Sequence, residues 1–216
     1  MRNYTYYIAL MLFTLLVSCG TIKRTSIQSV NPGNFSLEQK QLILKGKASD
    51  PMRVFLITNY EDSLLLRQNC DPVTFDDKDK TLRHFIQRLH RTVTDSMSLG
   101  VGIAAPQVGI LKRIIWVKRF DKPGFPFEVY LNPEILQYST KKQPCPEGCL
   151  SIPNRRGTTT NRAYAILLQS LDQHGEQHIE MVEDFTAVIF QHEIDHLNGI
   201  LFIDHLKKEV RDAKGK

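Results

Sequence analysis

The chain contains no block of five or more like charges and no basic stripe interleaved with aromatic residues. Its net charge of +5 comes from 28 basic and 23 acidic residues spread along the sequence, so no nucleic-acid partner is expected. No repeat recurs at a fixed period and there is no low-complexity tract, which excludes a repeat array. No uninterrupted apolar run reaches the roughly 20 residues that a membrane-spanning helix needs. Cysteine is scarce: Cys19, Cys70, Cys145 and Cys149 are all there is. What remains is an ordinary globular composition, 42% apolar and 24% charged over 216 residues, enough for one domain with its own core. The expected state is a monomer.

The first twenty residues differ in kind. Arg2 precedes a nearly continuous apolar run over residues 8–17, followed by Ser18-Cys19-Gly20. This has the layout of a secretory signal. The junction Leu16-Val-Ser-Cys19 resembles a bacterial lipobox, in which cleavage before the cysteine follows attachment of a diacylglycerol to its thiol. The expected division is a signal peptide at 1–18, a lipidated Cys19 with a polar tether to residue 36, and a folded domain at 37–216. A chain of this kind is membrane-anchored in the bacterial cell envelope and faces away from the cytoplasm; if the signal is not used, it is cytoplasmic. With Cys19 assigned to lipid, three cysteines are left, so a complete disulfide framework is not the natural reading. Cys70 reads as a buried thiol. Cys145, four residues before Cys149, could pair with it in an oxidising compartment.

Within the domain, Ser36 with Gln39 three residues on predicts a capped leading helix. Between Asp76 and Met97, Leu82, Phe85, Ile86, Leu89 and Val93 form the stripe of an amphipathic helix. Ile114-Ile-Trp-Val117 and Phe127-Glu-Val-Tyr-Leu131 read as strands, the second ended by Pro133. A hairpin is expected around His174-Gly175. The last substantial helix is expected to start near Asp184 as N-cap, with Phe185, Val188, Ile189, His192 and His196 on one face. A stripe that turns from Phe, Val and Ile to two histidines is aimed at something polar inside the protein. The fold class is α+β, with antiparallel sheets around one central metal-binding helix.

His192-Glu-Ile-Asp-His196 is an H-E-x-x-H motif, whose two histidines lie one helical turn apart and close on a single metal. A tetrahedral hydrolytic site needs a third protein ligand and one open position. Downstream, Glu209 or His205 would supply it in a metalloprotease arrangement. Upstream, Cys149 in Glu147-Gly-Cys-Leu-Ser151 offers a thiolate, which suits an imidazole-rich site.

With Gly100-Val-Gly-Ile-Ala-Ala-Pro-Gln107 added, these segments resemble the three ordered motifs of the peptide deformylase family, and the similarity spans residues 52 to 206. Ile103 stands where that family more often has leucine. The segment Arg156-Gly-Thr-Thr-Thr-Asn-Arg162 is one residue longer than usual and lacks a valine, so its substrate-side contacts do not carry over. The resemblance implies hydrolysis of N-formyl-methionyl peptides or proteins with release of formate. It assigns Cys149, His192 and His196 to a divalent metal, iron(II) in the family, although zinc, nickel and cobalt suit the same ligands. It makes Glu193 the general acid/base and assigns the oxyanion donors to the Gln107 side-chain amide and the Leu150 backbone N–H. Val101, Gly102, Gly148, Val188 and Ile189 would meet substrate, the apolar ones around the methionine side chain. At Gly102 the missing Cβ would let substrate pair as an added strand. Glu147 and Asp195 are expected to support the site without reacting. Two other readings compete: a membrane-tethered zinc metalloprotease, and an inactive formyl-peptide-binding lipoprotein, which would have no use for Glu193 and Gln107.

Overall fold

The computed structural model describes residues 34–95 and 100–214. The apolar leader, Cys19 and most of the polar tether lie outside the described residues, as does the expected helix end at Met97. Asn34 and Phe35 are already packed: Phe35 is buried with its ring 5.9 Å from that of Phe85. The capping box of the leading helix α1 (Leu37–Leu44) forms as expected between Ser36 and Gln39.

The amphipathic stripe becomes α3 (Lys80–Val93), after a short α2 (Tyr60–Leu65) that the sequence did not reveal. It begins later than Asp76, because Asp79 is the residue whose side chain caps it, accepting from Leu82 N–H at 2.9 Å. Next come β1 (Gly102–Ala104), a 3₁₀ turn (Ala105–Val108), β2 (Ile114–Lys118) and β3 (Phe127–Tyr138). A hairpin of β4 (Lys142–Cys149) and β5 (Ile152–Ala163) precedes β6 (Ala165–Leu171) and β7 (Gln177–Glu183). The chain then forms α4 (Asp184–Leu197) and α5 (Phe202–Lys214). Five strands make one antiparallel sheet in the order β1-β2-β3-β6-β7, and β4-β5 form a separate pair.

The sheet lies between α3 and α4. Along β2, Ile114 and Trp116 join the cluster built on Phe85, Leu89 and Val93, whereas Ile115 and Val117 join Ala187, Phe190 and Ile194 of α4. That is the period of two expected of a strand covered on both faces. The α+β architecture with α4 at its centre is therefore as the sequence implied.

Three local expectations are corrected. β3 does not stop at Pro133 but runs on to Tyr138. Its ladder to β6 shifts between Leu131 and Glu134, and Asn132 takes φ 49°, so the proline, which has no N–H to donate, sits in an irregularity of the strand. Asp184 does not cap α4. Strand β7 passes straight into the helix, Asp184 turns the corner at φ 55° with its N–H bonded to Tyr164 O, and Glu183 in the cap position makes no side-chain bond. The third correction is the β4-β5 hairpin itself, whose polar, proline-containing sequence carries no strand period.

Candidate active site

His192 and His196 lie one turn apart on α4 with ring centroids 5.1 Å apart. β4 ends at Cys149, whose Sγ is 3.2 Å from His196 Nε2. The donor atoms of these three residues all fall within 4.8 Å of one another. Burial drives the His196 ring well below its ordinary pKa, whereas hydrogen bonds to Cys149 and Glu147 outweigh burial and raise that of His192. His192 is oriented from behind, its Nδ1 2.7 Å from Glu147 Oε2. A carboxylate can only accept, so the ring donates through Nδ1 and presents Nε2 to the cluster.

Glu147 lies two residues before Cys149 on the same strand. Burial alone would raise its pKa, but bonds from His192 and Arg162 hold it far below the carboxylate range. Arg162 reaches it with Nε and Nη2, both at 2.9 Å, and Thr159 also donates to it. The third guanidinium nitrogen bonds Asp195 Oδ2 at 2.6 Å, and the His205 ring sits 2.8 Å from the same oxygen. Glu147 and Asp195 thus hold other groups in place, as expected.

Glu193 is 4% exposed, and burial pushes its carboxyl up to about 7. Its Oε2 is buried with no hydrogen-bond partner among the described residues. A Cβ on Gly102 would lie 2.9 Å from both Glu193 Cδ and Ile189 Cγ2. The glycine expected to admit substrate therefore also makes room for the carboxylate. Gln107 is buried in the 3₁₀ turn. Its Oε1 accepts from Ala104 N–H at 2.9 Å, which turns Nε2 toward Ser151 Oγ at 3.2 Å and Cys149 Sγ at 3.5 Å. Leu150 forms the turn between β4 and β5. An extended segment staples both motifs together, Phe55 N–H to Gln107 O at 2.7 Å and Ile57 N–H to Ser151 O at 3.0 Å.

These groups border one cleft of about 810 Å³. Val101, Gly102, Gln107, Gly148, Cys149, Leu150, Val188, Ile189, His192 and Glu193 line it, and His196 joins the cluster from beneath. Val188 and Ile189 are nearly fully buried, so they are pocket wall and core at once. Arg155, Arg156 and Phe185 also line the cleft, and of these only Phe185 lay on a stripe visible in sequence. Arg162 carried no local signal, because its partners lie 15 and 33 residues away.

The two downstream candidates for third ligand are engaged elsewhere. Glu209 accepts from Thr160 N–H at 2.9 Å, and His205 is on Asp195. Cys70, Cys145 and Cys149 are free thiols. Cys145 and Cys149 are four residues apart along one strand, roughly 13 Å at 3.3 Å per residue, beyond the span of a disulfide.

One sulfur and two imidazole nitrogens would leave a tetrahedral cation one open position, and the buried carboxylate beside them has an oxygen with no partner among the described residues. The donor set thus fits a divalent metal, and the arrangement is that of a metal-dependent hydrolase.

The chain belongs to the polypeptide deformylase family, whose model matches residues 54–212. It is 41% identical over 146 residues to peptide deformylase 1 of Clostridium perfringens, covering 68% of this chain and 94% of that protein. A class I type b peptide deformylase of Acinetobacter baumannii, solved with Met-Ala-Ser bound, aligns with TM-score 0.64 at 36% identity, over 73% of this chain and 99% of the other. The Thermotoga maritima peptide deformylase aligns with TM-score 0.62 at 34% identity, over 71% and 96%. The activity is that of the family: metal-dependent hydrolysis of the formyl group from the N-terminus of formyl-methionyl peptides, releasing formate.

Proposed function

We propose that Glu193 carries the proton transfers of this hydrolysis, that Cys149, His192 and His196 hold the metal, and that Gln107 and Leu150 receive the charge developing on the formyl oxygen. The observation that carries this reading is the buried Glu193 carboxyl, with one oxygen unpartnered, in the same cleft as the three donors. When bound, a divalent metal supplies Lewis acidity and lowers the pKa of water toward neutrality. Glu193 takes a proton from the attacking water and delivers it to the leaving amine, one carboxyl serving as base and then acid. The Gln107 amide, fixed through its own oxygen, and the Leu150 N–H stabilise the tetrahedral oxyanion. Val188 and Ile189, with Val101, form an apolar wall for the methionine side chain. β1 is an edge strand, so the backbone by Val101 and Gly102 is open to pairing with an extended peptide that passes Gly148. By family resemblance the metal is iron(II).

The same reading places the enzyme outside the cytoplasm, on a lipid anchor at Cys19, acting on formylated peptides there. The support is the Leu16-Val-Ser-Cys19 junction after an apolar run and before a polar tether. No helix among the described residues is long and apolar enough to cross a membrane.

Cysteine replacement tests the ligand set. Cys149→Ser is expected to lose metal and nearly all activity, since a neutral hydroxyl replaces a thiolate ligand poorly, while Cys145→Ser keeps both. Metal content of anaerobically purified variants, with formate release from formyl-Met-Ala, decides it. A Cys149→Ser protein that keeps its metal would contradict the assignment of Cys149 as a ligand.

A further inference from the structure

We propose that Arg155 and Arg156 form a carboxylate-binding rim on the wall of the cleft beside Gly148, which selects short formylated peptides that carry a negative charge beyond their formyl-methionyl residue. The inference rests on the deformylase reading and specifies its substrate.

The β4-β5 register sets the rim up. Cys149 pairs with Ile152 but Gly148 pairs with Arg156, so one step along β4 is matched by four along β5. Residues 153–155 therefore bulge out of the hairpin beside the ligand-bearing turn. Asn154, at φ 58°, breaks the strand alternation that would send Arg155 and Arg156 to opposite faces, and both line the cleft. Arg156 crosses Gly148: a Cβ there would lie 3.5 Å from Arg156 Cγ and 3.7 Å from Nε. Those are ordinary van der Waals distances, so the arginine lies against the cleft wall at Gly148.

Both arginines are exposed, and neither has a hydrogen-bond or ion-pair partner among the described residues. The carboxylates that line the cleft do not answer them. Glu147 is occupied by Arg162, His192 and Thr159, and Glu193 is buried at the reacting end. The mouth thus presents two unneutralised guanidinium forks, a geometry matched to a carboxylate. A peptide with its formyl end at Glu193 and its backbone extended past Gly148 runs alongside Arg156, advancing about 3.3 Å per residue. A tripeptide offers the rim its C-terminal carboxylate, and a longer chain offers a side chain instead.

Formyl-Met-Ala-Ser as the free acid, the same peptide as its amide, and formyl-Met-Ala-Asp amide separate the sources of charge. Exposed ion pairs contribute modestly, so at low salt the KM of the free acid should be roughly threefold to tenfold below that of the neutral amide. If an acidic side chain serves equally, the aspartyl amide will share the advantage. In R155Q/R156Q the substrates should converge, and R155E/R156E should invert the order. Equal KM values for all three in the unaltered enzyme, or a preference that survives in R155Q/R156Q, would overturn the rim. Failure to hydrolyse any of the three would instead overturn the deformylase reading and the rim with it.

Discussion

At the scale of single residues, the site is built by what is missing as much as by what is present. Gly102 is the clearest case, because the space its side chain would fill is taken by Glu193 and Ile189. Gly102→Ala is expected to displace the carboxylate while leaving Cys149, His192 and His196 untouched. A displacement of this size in a reacting group costs on the order of 100-fold in kcat/KM. Turnover measured against metal content checks it: metal should stay at the unaltered level while formate release falls. Full activity in the alanine variant would show that Glu193 has room to work elsewhere. Most of these residues could be read from the sequence, since each motif is short and contiguous and the chemistry dictates its residue types. The Glu147-Arg162-Asp195 network could not, because its members meet only through folding.

At the scale of elements, the segment before α2 decides how the two halves of the site meet. Residues 53–57 bond to Gln107 O and Ser151 O, and Asp62, 3% exposed, holds them by accepting from Leu56 N–H at 3.0 Å and from Arg53 Nη1 and Nη2. Hydrogen bonding from Arg53 lowers the Asp62 pKa. The resulting stability is fully present above the unfolded carboxylate value, about 4, and is lost as pH falls through the lower folded value. Asp62→Asn should therefore destabilise at pH 7 by at most about 1 kcal/mol, because Arg53 is largely exposed and the pair is screened. Denaturant midpoints at pH 7 and below pH 4 check the sign: the gap between the two proteins should close in acid, and a gap unchanged with pH would assign Asp62 a packing role. Elements whose apolar residues follow one period, such as α3 and β2, were legible. The β4-β5 hairpin was not, since Pro144, Pro146 and a polar sequence hide strands stabilised by pairing with each other. Nor was the continuation of β3 through Pro133, which the irregular ladder accommodates.

At the scale of the whole molecule, the packed body is present from Asn34, while the Leu16-Val-Ser-Cys19 junction proposed as a lipobox lies well before it. A chain starting at residue 34 should fold and hydrolyse formyl-Met-Ala like the full-length enzyme. In a bacterial host, Cys19→Ser should shift the full-length protein out of the lipid-modified membrane fraction or leave its leader uncleaved, because acyl chains contribute roughly 0.8 kcal/mol of membrane affinity per CH₂. Fractionation with mass spectrometry of the N-terminus checks this, and an unmodified Met1 on cytosolic protein would contradict the anchor. The central claim is that one buried carboxyl performs the proton transfers beside an independent three-residue metal site. Its most direct test is Glu193→Gln, purified anaerobically beside the unaltered protein, with metal per chain and formate release from formyl-Met-Ala measured on the same samples. The account predicts an undiminished metal content with turnover reduced on the order of 100- to 10,000-fold. Turnover within a few-fold of the unaltered enzyme, or loss of the metal together with the activity, would contradict it.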